Sequence, residues 1–150
     1  MSEYIPSPRG WVAEQVELYE KSGGTEGLNL RNTDLPVVIV TNRGWKTGAI
    51  RKTPVMKVAD GNNYILVGSN GGAPNNPLWV YNLRTHPDVT IQDETKTYTM
   101  RVREVVNSVE RDRLWAIALE AFPRYQLYQD NAGQVGRVIP VFVAEPVESA

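Results

Sequence analysis

Two connections in this chain, Asp60-Gly61-Asn62-Asn63 and Asp93-Glu94-Thr95-Lys96, are too short to join anything but adjacent antiparallel strands. The first lies between a strand expected around residues 50–59 and Tyr64-Ile65-Leu66-Val67, read as its hairpin partner. The second lies between Val89-Thr90-Ile91-Gln92 and the stretch 98–105, where Tyr98, Met100 and Val102 alternate toward one buried face. Pro36-Val37-Val38-Ile39-Val40-Thr41 is a β-branched run that reads as a buried strand. Residues 138–146 form the last strand, with Pro140 suggesting an edge or bulge position. Hairpins in series, without regular strand–helix–strand alternation, predict an antiparallel sheet closing as a small barrel with helices outside. The fold class is therefore mainly β with flanking helices, α+β.

Helical spacing appears at both ends of this β region. Over residues 7–22 Val12, Val16 and Tyr19 recur on one face, Ser7 is placed to cap, Pro8 suits the first turn, and Gly23-Gly24 stops the run. A second helix starts at Asn107, with Glu110 three residues on, and carries Leu114, Ile117, Ala118 and Ala121. Phe122-Pro123 interrupts it, and residues 123–130 form one or two further turns. No linker divides the chain. One domain is expected over 1–150, with an N-terminal helix and loop in 1–30 and the barrel in 35–146.

Several chemistries are excluded early. There is no cysteine, so disulfides, thiolate metal sites and cysteine nucleophiles are absent, and the single histidine, His86, rules out a histidine-rich metal site. His86 precedes Pro87 and suits a helix end better than a catalytic base, and no serine sits in an elbow motif. No G-x-G-x-x-G follows the first strand, which argues against a dinucleotide fold. No apolar run approaches a membrane span, and the first ten residues lack a signal-peptide pattern, so a cytoplasmic location is expected.

Charge is distributed unevenly. Between Leu35 and Pro87 stand Arg43, Lys46, Arg51, Lys52, Lys57 and Arg84 against one acid, Asp60, a local +5 in a chain whose total is −1. A basic middle in a neutral chain fits a discrete anionic ligand better than nucleic acid. Lys46, Thr47 and Arg51, between bends at Gly44 and Gly48, are candidates for gathering phosphate or carboxylate oxygens. Gly71-Gly72 leaves bare backbone ahead of a helix that Asn75 or Asn76 could cap and Pro77 could open. The same residues also suit a plain strand-to-helix turn. Tyr125 and Tyr128, with Phe122 a turn earlier, share a helical face that fits either core packing or the wall of a site.

Four segments carry a resemblance. Residues 41–54 (T-x-R-G-W-K-T-G-x-x-R-x-x-P), 60–72 (DGNNYILVGSNGG), 76–87 (NPLWVYNLRTHP) and 124–146 (RYQLYQ, then IPVFVAEP) occur in the order found in the deazaflavin-dependent nitroreductases. The chain resembles that family over roughly residues 35 to 146. The resemblance implies an antiparallel split β-barrel, like the FMN-binding barrels, that uses coenzyme F420. It implies that Trp45, Lys46, Thr47, Gly48, Arg51 and Pro54 contact the cofactor's phosphate and acidic tail or lie beside them. Val67, Gly68, Ser69, Asn70, Gly71 and Gly72 would border its ring, and Pro77, Leu78, Trp79 and Asn82 would form the helical wall. Ser69 and Tyr128 are the candidates for hydrogen bonding or proton donation, and Tyr125 for the substrate wall.

The implied reaction is hydride transfer from reduced F420 to a quinone-like or nitroaromatic acceptor. The alternatives are an FMN-dependent enzyme of the same fold and a relative that only binds a cofactor or lipid. No nucleic-acid or metal partner is implied; monomer and dimer both remain open, and the apolar face of the N-terminal helix could cover the pocket or touch a membrane. The chain departs from the family pattern at Asn70, where lysine is usual, at Trp45, at Met56 and Phe122, and in a longer connection, Asp130–Arg137.

Overall fold

The computed structural model describes residues 3–147. Seven strands form one sheet: β1 (Val37–Arg43), β2 (Ile50–Met56), β3 (Ala59–Asp60), β4 (Asn63–Val67), β5 (Asp88–Asp93), β6 (Lys96–Glu104) and β7 (Val141–Pro146). Their spatial order is β2-β1-β5-β6-β7-β4-β3, every pair antiparallel, and the sheet curls until β2 meets β4. This is the antiparallel barrel expected from the turns, in the split form that the resemblance implies. Helices α1 (Gly10–Lys21), α2 (Leu78–Thr85), α3 (Ser108–Ala121) and α4 (Tyr125–Gly133) complete it.

Side-chain alternation explains why the strands read as continuous apolar runs. In β1, Val38 and Val40 face the barrel interior, while Val37 and Ile39 face outward beneath Val16 and Tyr19 of α1. In β4 and β7, Leu66, Phe142 and Ala144 point inward, and Ile65, Val67, Val141 and Val143 point outward against α3 and α4. Both faces are thus buried, which removes the polar half of the usual alternation. Helix α2 sends Val80 and Leu83 into the inner cluster.

Some local expectations need correction. Helix α1 begins at Gly10, not Ser7, because residues 3–5 run extended along β2: Ile50 N–H donates to Glu3 O (2.8 Å) and Ile5 N–H to Ile50 O (2.9 Å). Ser7 Oγ accepts only the Arg9 N–H, and Pro8 lies before the helix. The long partner of β4 is β7; the Asp60–Asn63 turn joins it only to the two-residue β3. Pro140 precedes β7, an interior strand of the sheet, and its carbonyl accepts the Gly68 N–H at 2.9 Å. Tyr98 is partly open to solvent, while Met100 and Val102 are buried. The Asn107 cap forms as expected, its Oδ1 accepting the Glu110 N–H at 3.0 Å.

Candidate functional site

A cavity of about 570 Å³ opens where α1, the β1–β2 loop, β2 and the start of α2 converge. That volume lies within the range of small-molecule and cofactor sites. One lining residue, Asn82, belongs to a buried amide pair. Asn82, on α2, donates through Nδ2 to Asn42 Oδ1 (2.8 Å), and its own Oδ1 accepts the Trp45 N–H (3.0 Å). Asn42 in turn donates to Val40 O at 3.0 Å. The β1–β2 loop is therefore tied to α2 by side chains whose desolvation is repaid only when all these contacts are made.

The loop itself is tightly turned. Gly48 has φ +72 and donates to Gly44 O (2.8 Å), and Thr47 Oγ1 accepts the Ala49 N–H (3.2 Å). It presents Trp45, Lys46 and Thr47 to the cavity, with Arg51, Lys52 and Thr53 from β2 beside them. Among the described residues Lys46 and Arg51 have no carboxylate within ion-pair distance, whereas Lys52 is held by Glu20 at 2.6 Å. Lys46 Nζ lies 5.0 Å from the centre of the Trp45 ring. Two available cations facing one hollow provide attraction for an anion, strengthened where water is partly excluded.

The opposite wall is aromatic and apolar. Pro77, Leu78 and Trp79 line it, with Trp79 anchored against Phe142 at a ring separation of 5.9 Å. Leu78 is 70% exposed, an apolar side chain at the cavity mouth. Neither asparagine caps α2: Pro77 occupies the N-cap position, and Asn76 Oδ1 is taken by Arg137. From α1 and the arm before it, Ser7, Pro8, Arg9 and Val12 close the remaining side. On α1, Val16 and Tyr19 pack on the sheet and Val12 lines the cavity.

The structure brings together Trp45, Lys46, Thr47, Arg51, Asn70, Pro77, Leu78, Trp79 and Asn82 of the residues expected at the site. The others do not line the cavity. Gly68 is wedged so closely that a Cβ would meet Val80 Cγ2 at 2.7 Å, and Val67 belongs to the outer core. Gly72, at φ +81, packs on α4, where a Cβ would approach Tyr128 O at 2.9 Å; its bare backbone serves that contact. Gly71, also left-handed, is open on its Cβ side. Ser69 is half-buried, and Pro54 sits in β2 opposite Ile39. Tyr125, expected to wall a substrate pocket, is instead 2% exposed in the core beside Phe122 and Trp115, and burial pushes its phenol up from the usual value near 10. Tyr128 is half-buried, its ring 5.9 Å from Phe122.

Sequence reasoning missed Arg9, Val12, Lys52, Thr53 and Asn76 on the cavity wall, and Arg137 behind it. The charge-biased segment pointed at Lys52, the apolar face of the N-terminal helix at Val12, and the helix start at Asn76; nothing local pointed at Arg9, Thr53 or Arg137.

Comparison with known proteins identifies the family and agrees with the fold. The family model described as F420H(2)-dependent quinone reductase matches residues 11–146. A Mycobacterium tuberculosis (strain H37Rv) protein named F420H(2)-dependent quinone reductase is 34% identical over 128 residues, covering 84% of this chain and 83% of that protein. A solved F420-H2 dependent reductase (FDR-A) is 36% identical with a TM-score of 0.67, covering 78% of this chain and all of that one. Another solved structure, described as a domain-swapped dimer, is 38% identical with a TM-score of 0.69 and covers 93% of this chain and all of that one. Among the described residues no cluster suited to a metal ion occurs, and no helix is long and apolar enough to cross a membrane.

Proposed function

The chain belongs to the F420H(2)-dependent quinone reductase family, and we propose that it reduces a quinone with F420H2 bound in the cavity between α1, the β1–β2 loop and α2. One observation carries the placement: a single hollow combines an aromatic wall at Trp79 with the cations of Lys46 and Arg51, which have no carboxylate partner among the described residues. A planar ring with a phosphate and an acidic tail matches that pairing. The bound cofactor would supply hydride, because its reduced deazaflavin ring is a two-electron donor.

The chain's own task is to bind, orient and exclude water. Lys46, Thr47 and Arg51 hold the anionic end, and Trp79 with Pro77 and Leu78 fixes the apolar part. Arg9 and Val12 cover the hollow from α1. Ser69 and Tyr128 do not line the hollow; they are proposed to hydrogen-bond or protonate the reacting groups of a ligand that reaches past Asn70, with Tyr125 supporting Tyr128 from the core at a ring separation of 6.5 Å. Val67, Gly68, Gly71 and Gly72 shape the loop that carries Ser69.

The test is a fluorescence titration with oxidised F420 and, in parallel, FMN at two salt concentrations, followed by turnover of F420H2 with a quinone and a nitroaromatic compound. Salt-sensitive binding of F420 and quinone-dependent oxidation are expected. Preference for FMN would replace the cofactor assignment, and F420 binding without turnover would reduce the protein to a carrier. Ser69→Ala and Tyr128→Phe should slow quinone reduction while leaving F420 binding nearly intact; unchanged rates would remove both residues from the chemistry.

A further inference from the structure

We propose that Arg137 is a positioning residue for this site, a clamp that holds the 68–76 loop in the shape that presents Asn70, Asn76 and Pro77 to the cavity. The proposal rests on the F420 reading above for its functional consequence, but its structural half stands alone.

The loop is hard to hold. Three consecutive residues, Asn70, Gly71 and Gly72, have φ of +49, +64 and +81. Glycine and asparagine tolerate that region, but glycine-rich backbone also loses the most freedom on ordering. Within the loop, Gly72 N–H donates to Ser69 O (2.9 Å) and Ala73 N–H to Asn70 O (3.1 Å). Arg137 takes up three loop carbonyls and one side-chain oxygen. Its Nε donates to Asn76 Oδ1 (2.7 Å), one terminal nitrogen donates to Ser69 O (3.0 Å) and Ala73 O (2.7 Å), and the other donates to Gly68 O. A planar fork of five N–H groups can span both ends of the loop at once; a lysine ammonium cannot.

The setting of Arg137 is equally specific. After α4 the chain turns through Gly136 (φ +77), and Arg137 N–H donates to Ala132 O at 3.0 Å. Gln129 braces both sides of the residue, donating to Arg137 O (3.0 Å) and accepting from Ile139 N–H (2.9 Å). Arg84, Arg103 and Arg113 each face carboxylates, at Glu104, at Glu110 with Glu145, and at Asp60. Arg137 meets only neutral oxygens among its hydrogen-bond partners. A half-buried guanidinium spent entirely on one loop indicates that the shape of that loop is what the connection preserves, and an ordered loop binds a ligand without the entropic cost of forming first.

Arg137→Lys keeps the charge and loses the fork, while Asn76→Ala removes one arm alone. The readouts are amide hydrogen exchange in the free protein, thermal midpoint, and the F420 dissociation constant by fluorescence. In the lysine variant, amides of residues 69–73 should exchange about tenfold faster while β1 and β5 keep their rates, and the dissociation constant should rise about tenfold. Asn76→Ala should shift both in the same direction by less, and it carries the test if the lysine variant fails to fold. Unchanged loop exchange, a rise spread evenly over the chain, or a faster loop with unaltered F420 affinity would each overturn the proposal. If the wild-type protein does not bind F420, the cofactor reading fails, and the exchange comparison still decides whether the clamp exists.

Discussion

The side-chain oxygen of Asn82 accepts the backbone N–H of Trp45 at 3.0 Å, joining the helical wall of the cavity to the loop that carries its cations. The same amide donates to buried Asn42. Asn82→Ala would leave the Asn42 oxygen and the Trp45 N–H without these partners. We expect a loss of about 2 kcal/mol, or a fall of roughly 4–8 °C in Tm. F420 binding should weaken as well, because the loop loses its tether. A variant with unaltered Tm and affinity would show that the loop is held by other means.

Lys46 and Arg51 supply charge that no carboxylate among the described residues neutralises. The double variant Lys46→Ala/Arg51→Ala should raise the F420 dissociation constant about tenfold at low salt, since charge-assisted contacts are the stronger hydrogen bonds. Its dependence on salt should also flatten. Fluorescence titration at two ionic strengths checks both. Equal salt slopes for variant and wild type would place the anion elsewhere.

Much of the fold was legible because turns act locally. Asp93–Lys96 could only close a hairpin, and β5 and β6 pair on either side of it from Asp88↔Arg101 to Asp93↔Lys96. The cationic half of the site was legible too, since Lys46, Thr47 and Arg51 are close in sequence. What could not be read were relationships across long separations. The arm at Glu3–Ile5 denies α1 its expected start by pairing with Ile50, and that contact has no local signature. Arg137 lies in a stretch that reads as a polar loop, and only tertiary structure turns it toward Gly68 and Asn76. The Tyr125–Tyr128 spacing fitted core more often than site but allowed both, and packing against α3 settles Tyr125 as core.

Gly24 marks where α1 is fastened to the sheet. A Cβ there would stand 1.7 Å from Glu94 O and 2.1 Å from Glu94 C, and those are backbone atoms of the β5–β6 turn. Relief by moving that turn would break the Glu94 N–H bond to Tyr19 Oη (2.7 Å). Gly24→Ala should therefore cost at least about 3 kcal/mol. Gly23, at φ +68 with nothing near its Cβ position, is the control, and Gly23→Ala should cost about 1–2 kcal/mol from backbone strain alone. Urea unfolding of both variants decides the matter; equal losses would remove the clash as the cause.

Tyr125 gives the fold an alkaline limit. Burial, and to a lesser degree the charge of the Tyr128 phenol, hold its own phenol above the ordinary value near 10. Below pH 10 the group is neutral in both folded and unfolded chains and has no effect on pH dependence. Above it the unfolded chain releases the proton while the folded chain keeps it, so stability falls as pH rises toward the elevated folded value. Between pH 9 and pH 11 this one group should remove about 1.4 kcal/mol. Tyr125→Phe, measured by urea unfolding at both pH values, should lose that much less than the wild type. Tyr19 and Tyr64, whose phenols are also raised chiefly by burial, would leave some alkaline decline in either protein. Parallel losses in the two proteins would mean that the Tyr125 hydroxyl is open to water.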